Sequence, residues 1–493
     1  TEMSTKRHGG NVHYKVGVMK DGKLRALQTK FELDTGAYAS AGDAVAYRGA
    51  LFCSGPYEVP HVDADSKAVY TNTAPGGAMR GFGSTQPALI SEIMIDEVAR
   101  ELDMDPFEIR RLNGLEEGKQ TIAGHVIDSS SSGFMPTLKA VKEALDREEI
   151  PESKEGKRIG IGIASSMKNV GLGAGMEDGA GAEIELQEKG SFLLKIGSVD
   201  CGQGSDTTMA QIAARTLNVP YNLIDIKAND TAVTPDGGVT TASRQTFVTG
   251  NAVRVASIKF RELLLKFVEQ EIDIPASYLE LVGDSVLDIR EDKDFEISLT
   301  EIAARAKKGN KDLMEQHYYV APETKPFKDH TDNPEYNTEE YRMHFAYCYG
   351  TQAAIVEVDE ESGEVEVLKV IAAHDTGKTV NPSGVEGQIE GGILMGLGYA
   401  LSEEYKTEKG RMITDNFRKL GIPTIDKTPE MESILIEDHH PNGPYGAKGM
   451  SELPLNPTAP AIANAIYDAT GVRVNKFPVN KAELSKLIKQ SKN

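Results

Sequence analysis

The sequence predicts an α+β fold of two elongated mixed domains, built from a hairpin–loop–helix unit that recurs along the chain. The first observation behind this prediction is length, because 493 residues exceed what one hydrophobic core usually holds. The second is that three segments alternate apolar and polar residues about a glycine turn, the pattern of a β-hairpin. These segments are 12–34, which turns at Asp21-Gly22, 182–200, which turns at Lys189-Gly190, and 353–375, which turns at Ser362-Gly363.

Each predicted hairpin ends in the same kind of tripeptide. The three tripeptides are Asp34-Thr35-Gly36, Asp200-Cys201-Gly202 and Asp375-Thr376-Gly377. Their recurrence predicts a strand–turn–strand–loop–helix module, and the long spacing between copies favours α+β units over a solenoid. The alternative is a coincidence of common hairpin chemistry, because Asp-Gly turns are frequent.

A charge-dense segment at 147–158, which contains Pro151 and Gly156, is typical of a linker. We therefore place a first domain at 1–149 and a second domain at 150–493.

The sequence also predicts the structure of two further segments of the second domain. Three glycines share one face of the helix predicted at 381–399, and we expect that face to pack closely against a neighbour: Gly384, Gly387 and Gly391. The polar segment 481–493 is expected to be a solvated tail.

Composition excludes several classes of function. The net charge of −21 argues against non-specific nucleic-acid binding, which depends on lysine and arginine. No apolar run reaches the roughly 20 residues that a membrane helix needs. The three cysteines, Cys53, Cys201 and Cys348, are far apart and have no metal-ligand spacing. We therefore expect a cytoplasmic protein without nucleic-acid or membrane partners, and no iron–sulfur cluster within this chain.

Two polar loops precede predicted helices in the second domain. The segment 202–208 is glycine-rich, with Ser205 or Asp206 as the expected N-cap, and its free N–H groups would suit an anion. The segment 240–246 is rich in hydroxyls and includes Arg244. A plain loop explains either segment equally well.

Two more glycine-rich segments carry chemically useful side chains. The segment 72–86 contains Arg80 and Phe82 before a helix that starts near Pro87. The alternative is a purely structural role, in which Phe82 packs in a core and Arg80 caps a neighbouring element. The segment 446–454 ends in Glu452, a carboxylate that could serve as a base, although a surface turn is the alternative.

The common nucleotide and hydrolase motifs do not fit this chain. The glycines of 171–175 lead into another hairpin, without the helix and the acidic residue of a dinucleotide site. Ser243 and Ser451 lack the context of a nucleophile elbow.

Taken in order, four segments resemble the molybdopterin-binding subunit of the molybdenum hydroxylases, the family of xanthine dehydrogenase and aldehyde oxidase. They are 78–83, 202–204, 241–244 and 446–452. The resemblance extends over nearly the whole chain and implies a fold of the molybdopterin-binding type.

The resemblance also implies roles for individual residues. Glu452 corresponds to the general base beside molybdenum, Phe82 to a residue that stacks on the substrate, and Arg48, by register, to one that orients it. No residue corresponds to a direct metal ligand. The residues that correspond to cofactor-binding positions are Ala78, Met79, Arg80, Gly202, Gln203, Gly204, Ala242, Ser243, Lys448 and Gly449.

The implied reaction is hydroxylation of an electron-poor carbon in an N-heterocyclic aromatic substrate, either purine-like or nicotinate-like. Oxygen would come from water, and electrons would pass from a molybdenum–molybdopterin cofactor, in mononucleotide or dinucleotide form, to iron–sulfur and flavin groups. The implied partners are FAD-binding and two-iron–two-sulfur subunits or domains, in a complex that forms a dimer. An aldehyde oxidoreductase and a cofactor-free inactive fragment are the alternatives.

The chain departs from the family pattern in three places. A glycine–phenylalanine loop and a glutamine near the metal are not found, so we expect an N-terminal portion outside this chain to supply them. The region 170–175 offers Val170 and Leu172 where xanthine-type members have a second phenylalanine, which argues against xanthine. Gly81 stands where a carbon monoxide dehydrogenase has a cysteine, which argues against that activity.

Overall fold

The computed structural model describes residues 4–327, 341–409 and 411–492, and it confirms the predicted α+β class. The strands are β1 (Gly10–Val18), β2 (Leu24–Gly36), β3 (His61–Tyr70), β4 (Lys157–Val170), β5 (Gly179–Leu186), β6 (Phe192–Ile196), β7 (Ile224–Ala228), β8 (Leu279–Val282), β9 (Ser285–Asp288), β10 (Glu296–Ser298), β11 (Met314–Val320), β12 (Ala346–Asp359), β13 (Val365–Asp375), β14 (Thr407–Glu408), β15 (Arg411–Met412) and β16 (Glu430–Ile436). The helices are α1 (Gly42–Leu51), α2 (Thr85–Glu101), α3 (Pro106–Asn113), α4 (Phe134–Leu145), α5 (Ser205–Leu217), α6 (Gln245–Ile272), α7 (Leu299–Lys308), α8 (Pro382–Leu401), α9 (Phe417–Leu420), α10 (Thr458–Thr470) and α11 (Lys481–Ser491).

The predicted repeat is present three times, and each copy is larger than the sequence indicated. In each copy two antiparallel strands are followed by a helix, and a later strand then pairs parallel to the second strand of the hairpin. The copies are β1–β2–α1–β3, β5–β6–α5–β7 and β12–β13–α8–β16. Because parallel neighbours need a crossover connection, the helix is part of the module.

The Asp-X-Gly tripeptides of the three modules adopt the same local structure. In each, an aspartate Oδ1 accepts a hydrogen bond from the backbone N–H of the glycine two residues later. The N···O distances are 2.8 Å at Gly36, 2.8 Å at Gly202 and 3.1 Å at Gly377. These glycines have positive φ angles, which glycine adopts without steric cost. The tripeptide therefore turns the chain out of the sheet in the same way in each module.

The central sheet has the order β16–β13–β12–β4, and α10 packs on β4 through glycine. A Cβ atom built on Gly160 would lie 2.2 Å from the carbonyl oxygen of Ala465, and one on Gly162 would lie 2.1 Å from that of Ala461. The absence of side chains at these positions lets the helix approach the strand directly. Helix α4 packs against β12 and β13 of the same sheet.

Helix α8 does pack closely, but through a different face from the one expected. The expectation concerned Gly384, Gly387 and Gly391. A Cβ atom on Gly392 would lie 2.5 Å from Pro454 Cβ, and one on Gly396 would lie 2.4 Å from Thr458 Cβ. The segment that contains Pro454 and Thr458 thus packs on a different face of the helix, which periodicity alone could not identify.

The expectation of a solvated C-terminal tail is wrong. Residues Lys481–Ser491 form α11, and Asn480 caps it by accepting a hydrogen bond from the Glu483 N–H. Leu484 and Ile488 lie one turn apart and are each 1% exposed in the central core. Leu487 also packs against this core, so a few apolar residues dock the helix although most of its residues are polar.

A buried ion pair joins the predicted first domain to β4. Glu92 of α2 and Arg110 of α3 have fully buried side chains, and Arg110 Nη2 lies 2.8 Å from Glu92 Oε2. The Ser165 N–H donates to the same carboxylate at 2.8 Å, and the Tyr57 hydroxyl donates at 2.5 Å. Arg110 also donates to the Ile163 carbonyl at 2.9 Å. Loss of either charged partner would leave the other charge buried without compensation.

We expect Glu92→Gln to lower the free energy of unfolding by about 3 kcal/mol or more, because the buried Arg110 charge loses its partner. Chemical denaturation followed by circular dichroism measures this loss. The control is Glu108→Gln, which removes the exposed ion pair with Arg111 and should change stability little. Equal losses in the two variants would contradict the role of the buried pair.

Candidate active site

Glu452 lies where two loops of the second domain touch. Its Oε2 accepts a hydrogen bond from Ser243 Oγ at 3.3 Å, and its own N–H donates to the same hydroxyl at 3.2 Å. The Glu452 side chain is 14% exposed, so the carboxylate is largely enclosed but still accessible. The sequence had placed both residues in the candidate site, and the structure brings them together.

The contact between these loops depends on glycine at position 449. A Cβ atom built on Gly449 would lie 1.6 Å from the Ser243 carbonyl oxygen, a distance that no side chain tolerates. On the opposite loop, Ala242 and Ser243 have φ angles of 52° and 49°. Successive non-glycine residues in the left-handed region are uncommon and strained. The backbone is therefore bent at 242–243 to meet Gly449.

Arg80 holds the first-domain loop against the same region. Its Nε donates to the Ser451 carbonyl at 2.6 Å, and its Nη2 donates to the Gln388 carbonyl at 2.7 Å. Burial lowers the pKa of Arg80 to about 10, and the charge of Glu452 opposes that shift. The side chain thus links the loop to α8 and to the residue that precedes Glu452.

The loop that carries Phe82 lies against the helix that carries Arg48, and the substrate roles of both residues stay predictions. Phe82 has a φ of 31° and packs, partly buried, against the core of the first domain. A Cβ atom on Gly83 would lie 2.8 Å from Arg48 Cβ, so the loop rests directly on α1. Arg48 Nη2 donates to the Leu172 carbonyl at 2.8 Å. Its Nη1 is buried and has no hydrogen-bond partner among the described residues.

Lys168 on β4 is a site residue that the sequence analysis did not identify. Its Nζ lies 3.8 Å from Glu452 Oε2 and donates to Asn169 Oδ1 at 2.8 Å. Burial lowers the pKa of Lys168 to about 8, with Glu452 opposing the shift. The available signal was a lysine that directly follows the apolar and small residues 159–167 of the strand, because lysine is seldom fully buried without a partner.

A polar cleft lies beside Ser451. It is bordered by the beginnings of α5, α6 and α8, whose N-terminal N–H groups favour negative charge. Polar side chains dominate its wall: Gln203, Thr208, Thr246, Thr376, Lys378 and Gln388. Hydroxyls, amides and the ammonium groups of Lys378 and Lys448 suit a polar ligand that carries phosphate, such as a pterin nucleotide.

The loop 202–204 reaches this cleft, but its N–H groups are less free than predicted. The Asp200 carboxylate accepts hydrogen bonds from the N–H groups of Gly202, Gly204 and Asp206. The N-cap of α5 is Gly204, with φ 74°, so the expected cap at Ser205 or Asp206 is wrong. Added Cβ atoms on either glycine would meet nothing within 4 Å, so the loop backbone faces open space.

The Gln203 side chain bonds within its own loop. Its Oε1 accepts from the Cys201 N–H at 2.7 Å, and its Nε2 donates to the Val199 carbonyl at 2.7 Å. Gln203 nevertheless lines the cleft, so its cofactor role stays a prediction.

Lys448 lines the cleft, but its ammonium group forms ion pairs in the protein interior. Its buried Nζ lies 2.8 Å from Asp375 Oδ2 and 2.9 Å from Asp438 Oδ2. Burial raises the pKa of Asp375 to about 6, with Lys448 opposing the shift. The ammonium thus holds the third Asp-X-Gly turn in place. Its predicted contact with cofactor stays a prediction, as do those of the exposed Ala78 and the half-buried Met79.

Comparison with known proteins agrees with this geometry. Two models of the molybdopterin cofactor-binding domain match residues 137–429 and 1–114. A protein of Bacillus subtilis named as a probable xanthine dehydrogenase subunit is 32% identical over 98% of this chain and 62% of its own length. An aldehyde oxidoreductase from Megalodesulfovibrio gigas is 31% identical over 98% of this chain and 49% of its own length.

The solved structures give the same result. The aldehyde oxidoreductase from Desulfovibrio desulfuricans superposes with a TM-score of 0.81 and 28% identity, over 98% of this chain and 49% of that protein. Fold and cleft thus define a molybdopterin cofactor-binding protein. The chain belongs to the molybdenum hydroxylase family, the group of xanthine dehydrogenase and aldehyde oxidoreductase, as a molybdopterin-binding subunit.

The chain is shorter than the relatives that it matches. It spans about 62% of the length of the Bacillus subtilis protein and about half of the Megalodesulfovibrio gigas enzyme. The two family models leave residues 115–136 between their matches. The domain boundary near 149 stays a prediction. Among the described residues, helices fall short of the length and apolarity needed to cross a membrane.

We expect Gly449→Ala to separate the two loops at Glu452, because the added methyl group collides with the Ser243 backbone. Such overpacking should destabilise the protein by about 3 kcal/mol and reduce molybdenum retention in the complex. Thermal unfolding and metal analysis measure the two effects.

Gly387→Ala is the matched control, since a Cβ atom there meets nothing within 4 Å. In a helix this change should leave stability equal or slightly higher. Full molybdenum retention in Gly449→Ala would show that the loop contact is not needed for the site.

Proposed function

We propose that this protein is the molybdopterin-binding part of an oxidoreductase that hydroxylates an electron-poor carbon of an N-heterocyclic aromatic compound. The observation that carries the proposal is Glu452, an accessible carboxylate held where the loops of Arg80, Ser243 and Gly449 meet. The names of the relatives support the class of reaction, since they include a xanthine dehydrogenase subunit and a 6-hydroxypseudooxynicotine dehydrogenase subunit.

The cofactor would be a molybdenum–molybdopterin, in mononucleotide or dinucleotide form, held along the polar cleft. The residues that would hold it are Gln203, Thr208, Thr246, Thr376, Lys378 and Gln388. When bound, this group supplies the two-electron redox chemistry that amino-acid side chains cannot provide. The protein contributes position and charge.

Glu452 would act as the general base of the reaction. Its Oε2 already accepts a hydrogen bond from Ser243 and faces Lys168. Its Oε1 has no hydrogen-bond partner among the described residues, and it is therefore the atom that would accept the proton from the attacking oxygen of water. The Ser243 hydroxyl bonds both the N–H and the carboxylate of Glu452, so it would hold the base in a fixed orientation.

The substrate would lie between Phe82 and the loop at Leu172, which follows β4. The Phe82 ring would stack on a flat heterocycle, and Arg48 would bind negative charge that develops on it. Val170 and Leu172 would take the place of a second aromatic ring, which favours substrates other than xanthine.

Electrons would leave through partner subunits or domains that carry two-iron–two-sulfur clusters and FAD. Support comes from relatives named as parts of complexes, among them the carbon monoxide dehydrogenase large chain of Hydrogenophaga pseudoflava, 30% identical over 91% of this chain. The complex would be a cytoplasmic dimer. Residues that complete the metal site would come from a portion outside this chain.

A second candidate is an aldehyde oxidoreductase. Two observations favour it: the match to the Megalodesulfovibrio gigas enzyme and the TM-score of 0.81 to its Desulfovibrio desulfuricans counterpart. Assays of the complete complex on purines, nicotinate and aldehydes would choose between the two. Oxidation of aldehydes alone would favour the aldehyde oxidoreductase over the N-heterocycle hydroxylase. A complete complex without molybdenum would contradict both proposals.

We expect Glu452→Gln to retain molybdenum but to lower kcat by about 10²- to 10⁴-fold, because the amide cannot accept the proton. Metal analysis and steady-state kinetics of the complete complex measure the two quantities. The control is Glu183→Gln, whose carboxylate pairs with Lys195 in another sheet and which should keep full activity. Wild-type turnover in Glu452→Gln would refute the assignment of the base.

A further inference from the structure

In two of the three modules a fourth strand completes the sheet. In the second module β5 pairs antiparallel with β11, and in the third module β12 pairs antiparallel with β4. In both cases the added strand lies beside the first strand of the hairpin. Because β11 follows its module along the chain and β4 precedes its module, the fourth strand is a feature of the architecture and not of chain order.

The first module has no such strand among the described residues. Its sheet has the order β1–β2–β3, so β1, the counterpart of β5 and β12, is an edge strand. Strand β1 has nine residues and no proline, and its register with β2 is regular from Gly10 to Gly17. Natural edge strands are usually short, bulged or covered, because a long regular edge pairs readily with another chain. Strand β1 therefore has the geometry of an interior strand.

The backbone of β1 directs hydrogen-bonding groups to this edge. The Asp34 N–H donates to the Gly9 carbonyl at 2.8 Å, and this bond fixes the alternation of the antiparallel ladder. Every second residue then bonds β2, and the residues between have their N–H and C=O groups directed away from β2. The residues with outward backbone groups are Gly10, Val12, Tyr14 and Val16. The side chains of the last three pack against the core of the first domain, so their backbone groups alone face the edge.

The exposed face of this hairpin is basic. Residues 10–33 contain five lysine and arginine residues and two acidic residues, in a chain whose net charge is −21. Lys15 is exposed on β1, and Lys30 of β2 lies opposite the exposed His13. Ion pairs between described residues do not include Lys15 or Lys30. A second copy of β1 would place like charges opposite each other, whereas an acidic strand would compensate them.

The third module shows how charge joins a fourth strand to its hairpin. Lys157 of β4 forms an ion pair with Glu357 of β12. Next to this pair, Arg158 Nε lies 3.1 Å from Oε1 of Glu360, which directly follows β12. The fourth strand there carries basic side chains and the hairpin carries acidic ones. In the first module the hairpin is basic, and complementary charge requires an acidic fourth strand.

We propose that β1 is the docking site of a fourth strand, an extended segment with acidic side chains on alternate residues. It runs antiparallel to β1, as β11 and β4 run to their neighbours, and it adds main-chain hydrogen bonds along the edge. Its source is the part of the enzyme outside these 493 residues, a choice that rests on the proposed function. The length of the relatives supports this source, since the chain covers 62% of the Bacillus subtilis protein.

Hydrogen–deuterium exchange of single amides tests this docking, by comparison of the 493-residue chain alone with the complete complex. We expect the outward amides of Val12, Tyr14 and Val16 to exchange about tenfold more slowly in the complex, because each gains a hydrogen-bond partner. The inward amides that bond β2 in both samples are the internal control and should change less. Equal exchange of the outward amides in the two samples would overturn the proposal.

Charge reversal on the strand provides a second test. Lys15→Glu should speed exchange of the outward amides in the complex about threefold, because a cross-strand attraction becomes a repulsion. Lys20→Glu is the matched control, since Lys20 is exposed in the turn between β1 and β2 and lies outside the strand. Equal effects of the two variants would contradict an acidic partner strand.

The source of the strand is tested by a carbodiimide, which couples a lysine to a carboxylate in contact with it. Mass spectrometry of the complex should find Lys15 joined to an acidic residue of the part outside this chain. A link to a second copy of this chain, or to an iron–sulfur or flavin subunit, would overturn the proposal. An active complex with unprotected β1 amides would refute the docking and leave the proposed function standing, and a docked complex without turnover would do the reverse.

Discussion

The candidate site depends on one backbone contact, the approach of Gly449 to the Ser243 carbonyl. That contact excludes any side chain at 449 and fixes the strained backbone at 242–243. Glu452 follows three residues later, and its carboxylate and N–H both bond the Ser243 hydroxyl. The position of the base is therefore set by main-chain geometry, which is more rigid than a side-chain network alone.

The modules explain why polar loops collect beside this contact. In the second and third modules a strand ends in an Asp-X-Gly turn, and the loop then enters a helix whose first turn borders the cleft. The Lys448 ammonium bonds Asp375 of the third turn, so the loop that carries Glu452 is tied to a module as well. Repetition of one local structure thus builds a surface that no single copy provides.

Features set by local sequence were predictable, and features set by distant partners were not. The hairpins follow from alternation about a glycine turn, and the loops at Arg80, Ser243 and Glu452 follow from composition and from the family resemblance. The packing face of α8 depended on Pro454 and Thr458, which lie far along the chain. Lys168 was missed for the same reason, because only folding brings it to Glu452. Asp200 shows a further limit of prediction from sequence. Its carboxylate accepts hydrogen bonds from the N–H groups of the loop 202–206, which the sequence suggested were free to bind an anion.

The buried pair of Glu92 and Arg110 bears on how the chain reaches its native state. Both residues are synthesised before β4, yet the Ser165 N–H and the Ile163 carbonyl that complete their network belong to that strand. Helices α2 and α3 cannot complete this network until the strand arrives. The segments matched by the two family models therefore share one buried network, and separating them would leave Glu92 and Arg110 without their partners on β4.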